Sequence, residues 1–245
     1  MRMANMIKVM GTAMADLVRS DALATPALLK LMTFLSPAFP VGAFSYSHGL
    51  EYLIDKGDIR TADALASWLT DLLEIGSLWN DAVLLAVAHR AAKTGANDEL
   101  RETAALAEAL AGSRERHLES MAQGRAFLDA VSAAWPSNFV GQLAGDGAPY
   151  PVAVGATAAA HCVALEAALP AYLNAFVANL VSVGVRLVPL GQSAGLKVLA
   201  SLHPLIAATA LRAENSTLDD LGSATVLSDV ASMRHETQYS RVFRT

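Results

Sequence analysis

Residues 61–75 read TADALASWLTDLLEI, and the spacing of their large apolar groups decides the class of fold. Leu65, Trp68, Leu69, Leu72 and Leu73 recur at steps of three and one, the repeat of one face of an α-helix. Asp63, Ser67, Asp71 and Glu74 fall mostly off that stripe, and Thr61 supplies a hydroxyl where an N-cap is needed. The pattern predicts an amphipathic helix.

The same style continues on the C-terminal side. Residues 82–92, rich in Ala, Val and Leu, predict a second helix ending near Gly95. Residues 97–112 and 113–135 predict two more, divided at Gly112-Ser113 and stopped by Trp135-Pro136. The stretch WPSNFVGQLAGDGAPYP, with Gly141, Gly145, Gly147 and its prolines, predicts a loop. Residues 151–193 then carry only two formal charges, Glu166 and Arg186. In that segment Tyr172, Leu173, Phe176, Val177, Leu180 and Val181 share one helical face, and Asn179, Ser182 and Arg186 make a narrow polar stripe opposite. A helix this apolar belongs at the centre of a bundle or at an oligomer interface. Asn174 and the polar stripe interrupt it, and Pro170 and Pro189 bracket its most apolar part. A buried helix is therefore expected rather than a membrane span, where such polar groups are costly. No alternating strand pattern of useful length and no internal repeat is found.

The chain has 245 residues, 53% of them hydrophobic, 17% charged and 6% aromatic. A chain this long and apolar can fill a substantial core, and its Ala and Leu content favours helices. The formal net charge of −5 argues against nucleic acid or an anionic membrane as a partner. A single cysteine, Cys162, excludes a disulfide within the chain, so a cytoplasmic location is expected. The first residues, MRMANMIKVMGTAMADLVRSDALATP, lack the continuous apolar stretch of a secretory signal. The expectation is an all-α, single-domain multi-helix bundle over 26–245, preceded by an N-terminal extension at 1–25.

Chemistry of the chain's own is hard to find. Gly191-Gln192-Ser193-Ala194-Gly195-Leu196-Lys197 has the wrong glycine and lysine spacing for a phosphate loop and reads as a turn opening a helix. The histidines at 48, 89, 117, 161, 203 and 235 are scattered, with no H-E-x-x-H and no paired cysteines, and the face that His48, Glu51 and Asp55 could share on a helix is explained equally well as a solvated polar face. His161 and Cys162 are adjacent and would diverge by about 100° on a helix. Ser45, His48 and Glu51 have the residue types for acyl transfer, which leaves a small helical hydrolase or transferase as the alternative reading. No strand-to-helix nucleophile elbow accompanies them.

Two segments stay unexplained by catalysis. In SPAFPVGAFSYSHGLE, residues 36–51, Pro37, Pro40 and Gly42 make a stiff turn that carries Phe39, Phe44 and Tyr46. Aromatics on such a turn are either core plugs or interaction anchors. In ASMRHETQYSRVFRT, residues 231–245, Tyr239, Val242 and Phe243 alternate with Arg241 and Arg244. A helix before it would place Val226, Leu227, Val230 and Met233 on one face. Tyr and Arg together predict a partner-binding tail rather than a packed core strand.

These two segments, with AYLNAFVANLVSVGVRLVPLGQ at 171–192 between them, resemble the urease accessory protein family UreF. The resemblance covers about residues 26–245. It implies an all-α homodimer that binds the accessory protein UreD/UreH, recruits the GTPase UreG and modulates it, and so supports nickel insertion into apo-urease. It implies no catalytic residues and no directly bound cofactor, nickel and GTP being handled by the partners. On the tail it points to Arg234, His235, Glu236, Gln238, Tyr239, Arg241, Phe243 and Arg244 as partner-binding, ordered on binding UreD/UreH. On the turn it points to Tyr46, His48 and Glu51, and beyond it to Arg186, Gln192 and Lys197, as candidates for further partner contacts.

Overall fold

Thr61 accepts a hydrogen bond from the Ala64 amide at 3.2 Å, and the helix it caps runs Ala62–Ile75 with Leu65, Leu69, Leu72 and Leu73 buried. The computed structural model describes residues 25–244, and every regular element among them is helical. The expected extension at 1–25 lies outside the described residues except for Thr25. In chain order the elements are α1 (Thr25–Phe34), a 3-10 turn (Ala43–Ser45), α2 (Leu50–Lys56), α3 (Ala62–Ile75), α4 (Ser77–Thr94) and α5 (Asn97–Ala109). There follow α6 (Arg114–Ala134), α7 (Asn138–Asp146), α8 (Tyr150–Ala160), α9 (Leu165–Leu187) and α10 (Gln192–Glu214). A second 3-10 turn (Leu218–Asp220) leads into α11 (Val226–His235).

Helix α4 is the hub. Its Leu78, Ala82, Val83, Leu85, Ala86, Ala88 and Ala91 are all fully buried, and α3, α5, α8, α9 and α10 pack around it. The closest of these neighbours is α8. A Cβ added to Gly155 would collide with the Leu85 carbonyl oxygen, so the two backbones meet with no side chain between them. Alanines on both helices permit that approach. Around this seam one cluster of buried side chains continues through Phe34, Leu50, Leu69, Phe127, Leu169, Tyr172, Leu173, Val177 and Ile206.

One expectation from sequence needs correction. Residues 138–146 are the helix α7, not a loop: Ser137 caps it through the Val140 amide at 3.1 Å, and Val140, Leu143 and Ala144 are buried. Gly141 and Gly145 have open space where a side chain would be, so there they mark an exposed face. Pro170 lies in the second turn of α9. Its missing N–H leaves the carbonyl of Glu166 one turn back, and Glu166 is exposed, so water can satisfy the acceptor.

Helices α9 and α10 are both long and apolar enough to cross a membrane by length and composition. In the fold α9 packs Tyr172, Leu173, Val177, Leu180 and Val183 into the core and lies against α10. The polar stripe of α9 has a use as well. Asn179 Nδ2 donates to the Ala43 carbonyl at 3.0 Å, and Arg186 Nη2 donates to the Phe44 carbonyl at 3.2 Å. The turn at 36–49 is thereby fastened onto α9.

Candidate partner-binding site

The turn divides its aromatics between the two roles open to them. Phe39 and Tyr46 are buried, the Phe39 ring tilted against Phe127 at 5.4 Å and edge-on to Phe34 at 6.0 Å. Phe44 is displayed, 67% exposed. At the end of the turn Gly49 has φ +78°, and a Cβ there would stand 2.7 Å from the Ser232 amide nitrogen. Only glycine lets α11 lie this close to the start of α2.

The tail is held by two buried carboxylates. Glu51, on the first turn of α2, accepts from the Val242 amide at 2.7 Å through Oε1 and from the Phe243 amide at 2.9 Å through Oε2. Its Oε2 also lies 3.1 Å from His235 Nε2. Glu115, at the start of α6, faces His235 Nδ1 at 2.7 Å and accepts from Arg241 Nη1 at 2.6 Å. His235 is fully buried, so each ring nitrogen has a carboxylate partner in place of water. The Arg244 amide reaches the Ser45 carbonyl at 2.8 Å, and the Arg186 guanidinium lies 4.5 Å from the centre of the buried Phe243 ring. The tail thus binds back onto the turn.

A second charged group lies deeper. His48 Nε2 is 2.7 Å from Glu119 Oε1 and 2.9 Å from Arg116 Nη1, and Arg116 is also paired with Glu119 Oε2 at 2.7 Å. Gln123 donates to Glu119 at 2.9 Å. Burial pushes the Glu119 carboxyl up, but contact with His48 and Arg116 outweighs that and holds it well below the usual carboxylate range. Burial, helped by the Arg116 charge, lowers His48 to about 4, so the imidazole is neutral at pH 7. Beside them Tyr172 Oη donates to Asp81 Oδ2 at 3.0 Å, and burial lifts Asp81 to about 6. His48 also sits at φ +55°, a left-handed conformation that costs energy in any residue with a Cβ.

The family model of UreF matches residues 59–203 of the chain. A urease accessory protein UreF from Bradyrhizobium sp. (strain BTAi1 / ATCC BAA-1182) is 51% identical over 223 residues, covering 89% of this chain and 92% of its own. Its counterpart in Rhodopseudomonas palustris (strain BisA53) is 52% identical over 228 residues, 92% of this chain and 95% of its own. That of Mesorhizobium japonicum is 52% identical over 225 residues, 92% of this chain and 99% of its own. The chain belongs to the UreF family. It is a urease accessory protein, and its place is in urease maturation.

Within this UreF fold the residues singled out from sequence fall into three groups. Tyr46, His48, Glu51, His235 and Phe243 are buried in the chain and brace the turn and the tail from inside. The tail expected to be ordered only on partner binding already packs on its own chain, because Glu51 and Glu115 satisfy its donors. Arg186, Arg234, Tyr239, Arg241 and Arg244 are exposed, with Glu236 and Gln238 half-buried beside them. Gln192 and Lys197 are exposed at the start of α10, and no hydrogen bond or ion pair joins them to the turn or the tail among the described residues.

The Ser45, His48 and Glu51 of the hydrolase alternative do not assemble into a relay. Glu51 is occupied by the tail and His48 faces Glu119 and Arg116. The residues that sequence reasoning missed are Asp81, Glu115, Arg116 and Glu119. In RERHLE, residues 114–119, the charges resemble a solvated helix face. The signal lay one step further, in the line Glu115, Glu119, Gln123, Phe127 at spacing four, which ends in an aromatic and faces inward.

Proposed function

We propose that this UreF-family chain is a non-catalytic scaffold that binds UreD/UreH, recruits and modulates the GTPase UreG, and so supports nickel insertion into apo-urease. It acts in the cytoplasm as a homodimer, with nickel and GTP carried by its partners. The observation that supports this most is the tail: Tyr239 is fully exposed and Val242 is 76% exposed on a segment fastened by two buried carboxylates. An aromatic and an aliphatic group displayed among arginines on a braced segment are suited to protein recognition. The Arg244–Ser45 and Glu51 bonds link that segment to the turn bearing Phe44, so two recognition surfaces share one support.

The test is co-expression with the proteins of the urease operon, followed by affinity capture and size-exclusion chromatography. Removing residues 237–245, or combining Tyr239→Ala with Val242→Asp, is expected to abolish capture of UreD/UreH while the helical fold persists. Unchanged capture by both variants overturns the tail assignment.

A further inference from the structure

Between α5 and α7 lies a cleft of about 300 Å³. Both helices rest on α6 and α8, and α5 contributes only Ala104 and Ala105 where α7 contributes Phe139 and Leu143. The floor is fixed. The Tyr150 amide donates to Ser120 Oγ at 3.3 Å, and a Cβ on Gly124 would collide with the Ala148 carbonyl oxygen, so the chain at 148–150 is pressed onto α6. Leu100, Leu143 and Pro149 are buried and Met121 and Phe139 half-buried, so the walls are apolar. The rim is charged, and its charges do not cancel. Arg101 is paired with Asp98, one turn back on its own helix and outside the lining. Glu108 is exposed, with His117 Nε2 2.9 Å from its Oε1. Asp146 is exposed as well and has no hydrogen bond or ion pair among the described residues. It ends α7, where the helix carbonyls add partial negative charge to its own, so it stands at the unfavourable end of the helix for an acid. None of the residues singled out on the turn or the tail lines this cleft.

We propose that this cleft is a binding site for a small organic cation, an ammonium group carried on an apolar aliphatic or aryl body. The apolar walls take the body, and Asp146 with Glu108 takes the charge. The sign follows from the rim. Arg101 is spent on Asp98, so an anion would meet two carboxylates and the carbonyl end of α7 with no cation to offset them. The size follows from the walls. A cavity of this volume stands at the lower end of those that hold small molecules, and three helices with the pressed segment at 148–150 bound it, which suits a compact ligand better than a length of helix or strand. Helix packing sets the shape, so binding loses little to the ordering of side chains or loops. No partner protein enters this inference, and it stands apart from the scaffold reading above.

The probe is 4-phenylbutylamine, titrated into the full chain and followed by amide NMR, beside the neutral 4-phenylbutanol and the blocked tripeptide Leu-Lys-Leu. Saturable shifts are expected in α5, α6 and α7, with half-saturation by the amine below about 1 mM and at least tenfold weaker binding of the alcohol. The Asp146→Asn/Glu108→Gln double variant changes two exposed positions and should keep its circular dichroism. It is expected to bind the amine at least tenfold more weakly and the alcohol as before. Ala104→Leu fills the cleft and should abolish binding of both; the charge variant decides alone if Ala104→Leu does not fold. Equal binding of amine and alcohol overturns the proposal, as does unchanged affinity in the double variant. Shifts that map outside these helices, or no saturation by about 10 mM, also overturn it. Tighter binding of the tripeptide than of the amine would make a protein side chain the occupant and overturn the small-molecule assignment.

Discussion

Glu51 Oε1 stands 2.7 Å from the amide nitrogen of Val242, although 191 positions separate them in the chain. The same carboxylate takes the Phe243 amide and lies against His235, so one side chain on α2 gathers two backbone donors of the tail and the His235 ring. Charge-assisted bonds of this kind are the stronger class of protein hydrogen bond, and leaving their partners unpaired in a buried place is costly.

Glu51→Ala should therefore free the tail without unfolding the bundle. The expected cost is about 2–3 kcal/mol, concentrated in residues 236–244. Amide hydrogen exchange measures it directly: protection at Val242 and Phe243 should fall by at least tenfold, with α4 and α8 unchanged. Retained protection at those two amides would show that the tail is held by something else.

Neighbouring tail positions should separate stability from recognition. Phe243→Ala removes a buried ring and its contact with Arg186, and is expected to cost about 3 kcal/mol. Tyr239→Ala removes a ring that touches mainly water and should leave the thermal midpoint within about a degree. Capture of UreD/UreH should rank the pair the other way for equal amounts of folded protein, with Tyr239→Ala the more damaging.

The deep charged group predicts an unusual pH response. Asp81, raised from 3.8 to about 6, keeps its proton in the folded chain where the unfolded chain has lost it, so its contribution falls as pH rises between those values. His48, lowered from 6.5 to about 4, refuses a proton that the unfolded chain takes, so its contribution falls as pH drops through that window. The two slopes oppose each other. Asp81→Asn should expose the His48 slope, with stability declining by up to about 2 kcal/mol from pH 6.5 to 4.5, and His48→Gln should tilt the other way. Urea midpoints at the two pH values decide it. Parallel, flat profiles in both variants would contradict the assignment.

Gly155→Ala tests the seam between α4 and α8. The new methyl has no room beside the Leu85 carbonyl, and neither backbone can yield without moving a helix. A loss of about 3 kcal/mol or more is expected, seen as a fall of roughly 6–12 °C in thermal midpoint. An unshifted midpoint would mean that the helices can slide apart at little cost.

Much of the fold was legible because most helices advertise themselves locally. The 61–75 stripe and the Thr61 cap report a short-range rule that packing did not need to override. Residues 138–146 misled because glycines and flanking prolines usually end helices, whereas Val140, Leu143 and Ala144 made α7 worth forming through burial. The site was less legible for a similar reason. Glu115 and Glu119 carry charge, and composition alone places charge outside; only the fold shows that His235, Arg116 and His48 meet them there. Phe44 and Phe39 sit five residues apart in one turn, and nothing in their identity told which would be displayed.

The row that Val226, Leu227, Val230 and Met233 expose on α11 also bears on how the protein must be produced. Molecules with that row uncovered can meet one another through it, and such encounters need not close into a defined assembly. Yield of monodisperse material should then fall as the concentration of the uncovered chain rises. In that sense α11 sets the concentration at which this UreF-family chain can be kept in solution.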